Sequence, residues 1–245
     1  MHASAAPVLT MFIVMTTPLI PHRPAIHAVL LDIDGTLIDS NDAHARAWVT
    51  ALSEHGYVVP FSAVRPLIGM GGDKMLPRLV GLDHDSGEAK RIGESRSEAF
   101  RRELPSLEPT RGARDLLQLL RKRGLQLVVA TSAQSDEVQA VLEQAGVADL
   151  IRTRASSGDA ERSKPDPDIV QAALHKSGNT AAHCIMIGDT PYDIEAASRA
   201  RVPCIALRCG GQWDDASLGA AAAIYDNPSD LAARFDSSPF MLAGV

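Results

Sequence analysis

Short apolar runs alternate with helix-like segments through most of the chain. Runs of four to six mostly apolar residues bounded by polar ones predict strands that are buried on both faces. These runs are residues 28–31, 125–130, 184–187 and 203–207, with shorter strands expected around Ile151 and, as an edge strand, at 221–225. Between them, apolar residues at helical spacing predict helices at 111–123, 136–144, 167–176 and 191–200. Strands alternating with helices predict an α/β fold with a Rossmann-like parallel sheet.

The stretch between the first two runs shows no strand pattern. Helices are expected at 39–56, at about 73–80 and at 86–104, and Ser40 or Asp42 is a suitable cap for the first of them. We therefore predict an all-helical domain at 40–109, inserted into a core built from 26–39 and 110–245. Hinges are expected near 39–41 and 105–110, where the chain leaves and re-enters the core.

Residues 1–25 do not fit either domain and are expected to be a disordered extension. The segment 7–20 is mostly apolar, but it is shorter than a membrane span and contains Pro18. No basic leader precedes it, which gives little support to a signal peptide. Met11 and Met15 are alternative start sites.

Composition narrows the class of protein. The chain has 245 residues, of which 45% are hydrophobic and 22% charged, as is ordinary for a soluble globular protein. A net charge of -6 without a Lys/Arg-rich block does not indicate nucleic-acid binding, and 4% aromatic residues disfavour a base-stacking surface. The three cysteines lack zinc-site spacing and indicate a reducing, cytoplasmic location. No membrane partner is expected, and the oligomeric state stays open.

The first apolar run ends in Asp32 and Asp34, two acids at i, i+2 that share one side of a pleat. Gly35 then allows the chain to turn, and Thr36 is expected to bond to nearby backbone. Two buried carboxylates are costly unless a cation lies between them. Taken alone, the stretch is also compatible with a simple strand end and turn.

Other polar residues also follow predicted strands or begin helices. In parallel sheets, ligands bind beyond the carboxyl ends of the strands, so these side chains are expected to converge. They are Thr131, Ser132, Lys164, Asp189 and Asp193. Several acids, one lysine, hydroxyls and exposed backbone N–H groups suit a hard cation beside a phosphate.

Together these residues resemble the four motifs of the haloacid dehalogenase superfamily, in order: DxDGT, a Thr/Ser, a Lys before Pro-Asp-Pro, and GDTxxD. The resemblance extends over about residues 28–231. The helical insertion resembles the cap of the phosphoglycolate phosphatase and β-phosphoglucomutase branch, in which His44 and Trp48 match an HxxAW pattern.

The resemblance implies a role for each motif in phosphoryl transfer. It implies that Asp32 is the nucleophile and that Asp34 is the acid/base, while Lys164 neutralises charge. Mg²⁺ would be held by Asp32, the carbonyl of Asp34, Asp189 and, directly or through water, Asp193.

Substrate contacts are implied for Thr131 and Ser132 at the phosphoryl oxygens. Among residues of the insertion, His44 and Lys74 are candidate contacts, as is Arg96. For His44, packing inside the insertion remains an alternative role. For Lys74 and Arg96, the alternative is a side chain that is simply exposed to solvent.

The predicted function is a Mg²⁺-dependent phosphatase for a small phosphorylated metabolite, such as phosphoglycolate or a sugar phosphate. Halide-displacing relatives usually lack the second acid, Asp34, and no residue firmly matches the cap lysine of the phosphonate hydrolases. A β-phosphoglucomutase-like mutase is the alternative, but its phosphate-gripping arginine corresponds here to Gly72. A weakly active binding or regulatory member is a further alternative, which the complete set of acids disfavours.

Overall fold

The computed structural model describes residues 25–242, so the expectation for the first 24 residues lies outside the described part. Six strands form one sheet, in which all five pairings are parallel. The strands are β1 (Ala28–Leu31), β2 (Gln126–Ala130), β3 (Thr153–Ala155), β4 (Cys184–Gly188), β5 (Cys204–Leu207) and β6 (Ala223–Tyr225). Their order is β3-β2-β1-β4-β5-β6, which places β1 at the centre. The predicted Rossmann-like α/β core is confirmed.

Helices cover both faces of this sheet. They are α1 (Asn41–Glu54), α2 (Phe61–Val64), α3 (Gly72–Val80), α4 (Gly87–Glu103), α5 (Ala113–Lys122), α6 (Ser135–Gln144), α7 (Asp168–Ser177), α8 (Pro191–Arg199), α9 (Pro228–Ala233) and α10 (Pro239–Leu242). Val29 and Leu31 of β1 pack in one apolar cluster with residues of α5, α6 and α9. Ala28 and Leu30 pack in a second cluster with residues of α7 and α8. Successive residues of β1 lie in different clusters because side chains along a strand point alternately to the two faces of the sheet.

The helical insertion, residues 40–109, carries α1 to α4. It has an apolar cluster of its own, which includes Trp48, Leu52, Met75 and Ile92. Other side chains of α1 and α4, among them Phe100, pack into the larger of the two sheet clusters. The insertion is therefore seated directly on the core.

The two linkers to the insertion run side by side. Ile38 and Pro109 form an antiparallel bridge, and the N–H of Asp39 donates to the carbonyl of Glu108 at 2.9 Å. The bond from Asp39 to Glu108 lies within the two stretches in which hinges are predicted, and Ile38 directly precedes the first of them.

Three local predictions from the sequence are wrong. Ile151 is buried in the core but precedes β3, which begins at Thr153. Ser40 occupies the position before α1 without capping it, because its hydroxyl donates to Asp34 instead. The side chain of Thr36 donates to Asp189 at 3.3 Å rather than to nearby backbone.

Candidate active site

Asp32 directly follows the central strand and is 6% exposed. Its N–H donates to the carbonyl of Ile187 at 2.9 Å, which continues the β1–β4 ladder by one residue. Gly35 then turns the chain with a φ of 72°. A Cβ at this glycine would lie 2.2 Å from both Asn41 Nδ2 and Asp189 Oδ2, so the close approach of these side chains requires glycine.

Asp189 and Asp193 reach the same place from β4 and α8. Thr190 caps α8 through a reciprocal pair of bonds, in which its hydroxyl accepts from Asp193 N at 3.2 Å and its own N–H donates to Asp193 Oδ2 at 3.0 Å. This capping box fixes the Asp193 side chain. Asp193 is thus both a helix cap and a member of the predicted site.

Lys164 lies between two of these carboxylates and is 1% exposed. Its Nζ is 2.5 Å from Asp32 Oδ1 and 2.7 Å from Asp193 Oδ1. Burial alone lowers the pKa of this ammonium group, but Asp193 and Asp32 raise it above its ordinary value. Lys164 therefore carries a fixed positive charge beside Asp32.

The three carboxylates form one buried cluster. Asp32, Asp189 and Asp193 each offer one oxygen, and these atoms lie within 4.8 Å of one another. Burial raises the pKa of Asp32 to about 7, with Asp193 and Asp34 adding to the rise against the opposing effect of Lys164. Burial and then the charges of Asp193 and Asp32 raise the pKa of Asp189 well above its ordinary value.

This cluster suits a divalent cation. Three carboxylates and one ammonium leave two negative charges uncompensated in a buried site, which is costly without a bound cation. The donors are all oxygen atoms, the ligands that Mg²⁺ prefers. Asp193 uses both of its oxygens for Lys164 and Thr190, and Asp189 uses both for Thr36 and Asn41. Among the described residues, Asp32 contacts only Lys164, through Oδ1, and is therefore the freest of the three carboxylates.

Asp34 is held apart from the cluster. Its Oδ1 accepts from Ser40 Oγ at 2.6 Å and lies 2.7 Å from His44 Nε2. Burial alone raises its pKa, but His44 and the bond from Ser40 bring it down to about 2. The two neighbouring acids of the motif therefore have pKa values displaced in opposite directions, as is typical of groups with separate chemical roles.

His44 links Asp34 to the helical insertion. Arg96 NH2 donates to His44 Nδ1 at 2.6 Å, and the imidazole stacks on Phe100 with ring centroids 3.8 Å apart. Arg96 therefore holds the Nδ1 side of the ring, and Nε2 faces Asp34. His44 is thus oriented from both sides.

Arg96 also reaches the core. Its NH1 donates to both carboxylate oxygens of Glu137 in α6, at 3.0 and 2.8 Å, and its guanidinium lies over the rings of Trp48 and Phe100. Glu137 is 3% exposed. The sequence carries no signal for Glu137 as a site residue, because it forms part of an ordinary amphipathic helix.

A cleft of about 1090 Å³ separates the sheet from the helical insertion. Its walls include Asp32, Asp34, Thr131 and Ser132 from the core and His44, Trp48 and Arg96 from the insertion. Thr131 Oγ1 accepts from the N–H of Ala133 at 3.1 Å, and Ser132 Oγ is buried without a partner among the described residues. The predicted site residues among them therefore line one space, whereas Lys164, Asp189 and Asp193 are buried and are not part of this lining.

Lys74 is placed differently. Its Nζ pairs with Asp166 at 2.6 Å, and the adjacent Asp73 accepts from Ser163 Oγ at 2.5 Å. Lys74 is not among the residues that line the cleft. The two contacts fasten α3 to the loop that carries Lys164.

Two further features connect the core with the insertion. Tyr192, in the first turn of α8, donates its hydroxyl to the carbonyl of Pro66 at 2.6 Å. Gly210, which follows β5, is buried against Asp189. Within residues 25–242, no helix combines the length and apolarity that a membrane crossing requires.

Comparison with known proteins agrees with this geometry. Residues 29–207 match the family model of the haloacid dehalogenase-like hydrolases. The chain is 30% identical over 215 residues to a phosphoglycolate phosphatase of Rhodospirillum rubrum, covering 83% of this chain and 88% of that protein. It is also 32% identical over 190 residues to the chloroplastic protein SUPPRESSOR OF QUENCHING 1 of Arabidopsis thaliana, covering 75% of this chain but spanning only 18% of that much longer protein.

Solved structures resemble it too. A hydrolase from Pseudomonas syringae superposes with a TM-score of 0.80 at 30% identity, covering 86% of this chain and 98% of that one. A β-phosphoglucomutase from Clostridium difficile superposes with a TM-score of 0.75 at 20% identity, covering 84% and 93%, which concerns the fold alone. The chain belongs to the haloacid dehalogenase-like hydrolases, in the branch that contains phosphoglycolate phosphatase and β-phosphoglucomutase.

Proposed function

We propose that this chain is a Mg²⁺-dependent phosphatase that hydrolyses a small phosphorylated metabolite through a phosphoaspartate at Asp32. Membership of the family makes it a hydrolase of phosphate esters. One observation carries the finer proposal: Asp32, Asp189, Asp193 and Lys164 form one buried cluster, beside which Asp34 is held separately.

In the first step, a carboxylate oxygen of Asp32 attacks phosphorus and the bond from phosphorus to the leaving oxygen breaks. Asp34 gives a proton to that oxygen, and the alcohol departs. Lys164 offsets the negative charge that builds up between Asp32 and the phosphate, while Thr131 and Ser132 hold phosphoryl oxygens. The charge of the phosphate raises the pKa of Asp34 in the substrate complex, which favours the protonated form that this step needs.

In the second step, Asp34 takes a proton from water, whose oxygen attacks the phosphoaspartate, and the bond from phosphorus to Asp32 breaks. Inorganic phosphate and free Asp32 result. Asp32, the carbonyl of Asp34, Asp189 and, directly or through water, Asp193 would hold Mg²⁺, which would supply positive charge for the phosphoryl oxygens. The bonds that hold Asp34 as a carboxylate in this structure suit the second step.

We assign residues 26–39 and 110–245 to the core domain and residues 40–109 to a cap domain. Two ion pairs that join the core and the insertion, Arg96 with Glu137 and Lys74 with Asp166, support a closed arrangement. Closure excludes water from the phosphoryl centre, and opening admits substrate. The walls contributed by the insertion, including His44, select the leaving group.

A mutase remains the alternative function and has less support. The position that corresponds to its phosphate-gripping arginine is Gly72, and a Cβ there would lie 3.1 Å from the indole of Trp48. Trp48 therefore occupies the space next to this position.

Phosphate release from a panel of phosphorylated metabolites tests the proposal. The panel includes 2-phosphoglycolate and hexose phosphates, each assayed with Mg²⁺ and with a chelator. We expect release that requires Mg²⁺ and that disappears in Asp32→Asn, which keeps the size of the side chain. Isomerisation of β-glucose 1-phosphate without phosphate release would establish the mutase, and activity in Asp32→Asn would contradict the assigned nucleophile.

A further inference from the structure

Asn41 is the first residue of α1, and thus of the first helix of the insertion, and it is 2% exposed. Its Nδ2 donates to Asp189 Oδ2 at 2.8 Å and to the carbonyl of Gly210 at 3.3 Å. Both partners are acceptors, so the amide nitrogen is the atom that faces them. A residue of the insertion therefore touches one of the three clustered carboxylates directly.

The other atom of this amide group is unusual. Asn41 Oδ1 is buried and has no hydrogen-bond partner among the described residues. An unpaired buried acceptor of this kind costs about 1–3 kcal/mol, and such atoms call for an explanation. The donor function of the amide toward Asp189 accounts for an asparagine at a place where packing alone favours an apolar side chain.

Arg65 strengthens the same connection. It is 8% exposed, and its NH2 donates to the carbonyl of Gly210 at 2.5 Å while its Nε donates to Asp42 at 2.6 Å. Gly210 is pressed against the carboxylate, since a Cβ there would lie 1.8 Å from Asp189 Oδ2. Two residues of the insertion thus hold the loop that backs Asp189.

We propose that Asn41 is a positioning residue for the metal ligand Asp189, so that the helical insertion completes a metal site whose ligands all lie in the core. The inference rests on the proposed function for the identity of the metal. By donating to one oxygen, the amide fixes the plane of the carboxylate and directs the remaining lone pairs toward the cluster. Partners of this kind contribute about 10–100-fold to metal affinity.

Calorimetric titration of the full chain with Mg²⁺ alone tests this inference without substrate. We expect Asn41→Ala to bind Mg²⁺ about 10–100-fold more weakly than the unmodified chain. Asn179→Ala is the matched control, because Asn179 also donates twice, to Gln126 and to the carbonyl of Ser177 at 3.1 and 3.0 Å, but before the amino end of β4, whereas Asp189 follows the carboxyl end. The control is expected to keep the original affinity.

A second readout separates positioning from a general structural role. At saturating Mg²⁺, we expect phosphate release by Asn41→Ala to recover most of its kcat with an unchanged KM for substrate. If Asn41→Ala does not fold, as judged by circular dichroism, Asn41→Ser takes its place, since its hydroxyl is too short to reach Asp189.

The outcomes are distinguishable. Equal Mg²⁺ affinity in a folded Asn41 variant and the unmodified chain overturns this inference and leaves the proposed function in place. A failure of the unmodified chain to bind Mg²⁺ overturns both.

Discussion

Arg96 and Glu137 form a two-point ion pair between the helical insertion and the core, in which Arg96 NH1 lies 3.0 and 2.8 Å from the two carboxylate oxygens. The side chains are 12% and 2% exposed. Because the same guanidinium also donates to His44, the pair connects closure of the cleft with the orientation of the group beside Asp34. Seating of the insertion and placement of Asp34 are therefore parts of one network.

Glu137→Gln is expected to lower the free energy of unfolding by about 3–5 kcal/mol, because it leaves the charge of Arg96 buried without its partner. Thermal or chemical unfolding measures the change. The matched control is Glu103→Gln, which removes the exposed partner of Arg46, whose side chain is 51% exposed. We expect a loss of at most about 1 kcal/mol there, and an equal loss in both variants would contradict the assigned role.

Asp34→Asn is expected to separate the two chemical steps on p-nitrophenyl phosphate. This leaving group departs without a proton, so Asp32 is still phosphorylated and one burst of p-nitrophenol is released. Hydrolysis of the phosphoaspartate then loses its base and slows by about 10²–10⁴-fold. Rapid-mixing kinetics show the burst, and mass spectrometry of acid-quenched protein shows the phosphate on Asp32. Asp32→Asn should give no burst, and turnover of Asp34→Asn at the original rate would refute its role.

Gly210→Ala is expected to weaken Mg²⁺ binding by at least about 10-fold, because its Cβ would displace the Asp189 carboxylate. Calorimetry with Mg²⁺ measures the effect. Gly93→Ala in α4 is the comparison, since no atom lies within 4 Å of its new methyl group. That change should leave Mg²⁺ binding intact and stabilise the helix by about 0.5–1 kcal/mol. Similar Mg²⁺ affinities for the two variants would argue against the close packing described here.

The stability of the metal-free protein is expected to fall as the pH rises from about 4 to about 7. Burial raises the pKa of Asp32 from 3.8 to about 7, so in this range the folded state keeps a proton that the unfolded chain has released. Asp189 shifts in the same direction. The pKa of Asp34 is instead lowered, to about 2, so its contribution to the stability of the folded state is lost only at lower pH.

Thermal melts in a chelator measure this dependence, and melts with Mg²⁺ provide the contrast. A bound cation stabilises the ionised carboxylates, so the decline with pH should disappear or reverse. Asp32→Asn should flatten the metal-free profile, because it removes one of the shifted groups. A metal-free protein that gains stability over this range would contradict the direction of these shifts.

The central residues of the site could be predicted from the sequence because they directly follow strands, and the end of a strand fixes where such residues lie. Asp32 and Asp189 each end an apolar run, and parallel strands bring their carboxyl ends to one edge. The same logic located Thr131 and the lysine before Pro-Asp-Pro. The short strand predicted around Ile151 begins two residues later, at Thr153. A strand of only three residues at the edge of a sheet gives too weak a sequence pattern to fix its boundary.

Contacts between the insertion and the core could not be predicted. Glu137 and Asn41 lie on helices whose spacing reveals only that one face is buried. Their partners are set by how two separately packed units meet, a relation that no local pattern encodes. Ser40 shows the same limit, because its sequence position indicated a helix cap and tertiary structure instead brought Asp34 within its reach.

The paired linkers have a consequence for how this protein can change. Because Ile38 bridges Pro109, the chain leaves the sheet and returns to it at a single crossing. A module attached at one such crossing can be exchanged without altering the order or register of the strands. Exchange of everything between these two residues for the equivalent part of a relative should therefore transfer leaving-group preference as a block. The exchange would also replace Asn41, which donates to Asp189. A chimera without an amide donor at position 41 would therefore acquire the new leaving-group preference but bind its metal more weakly.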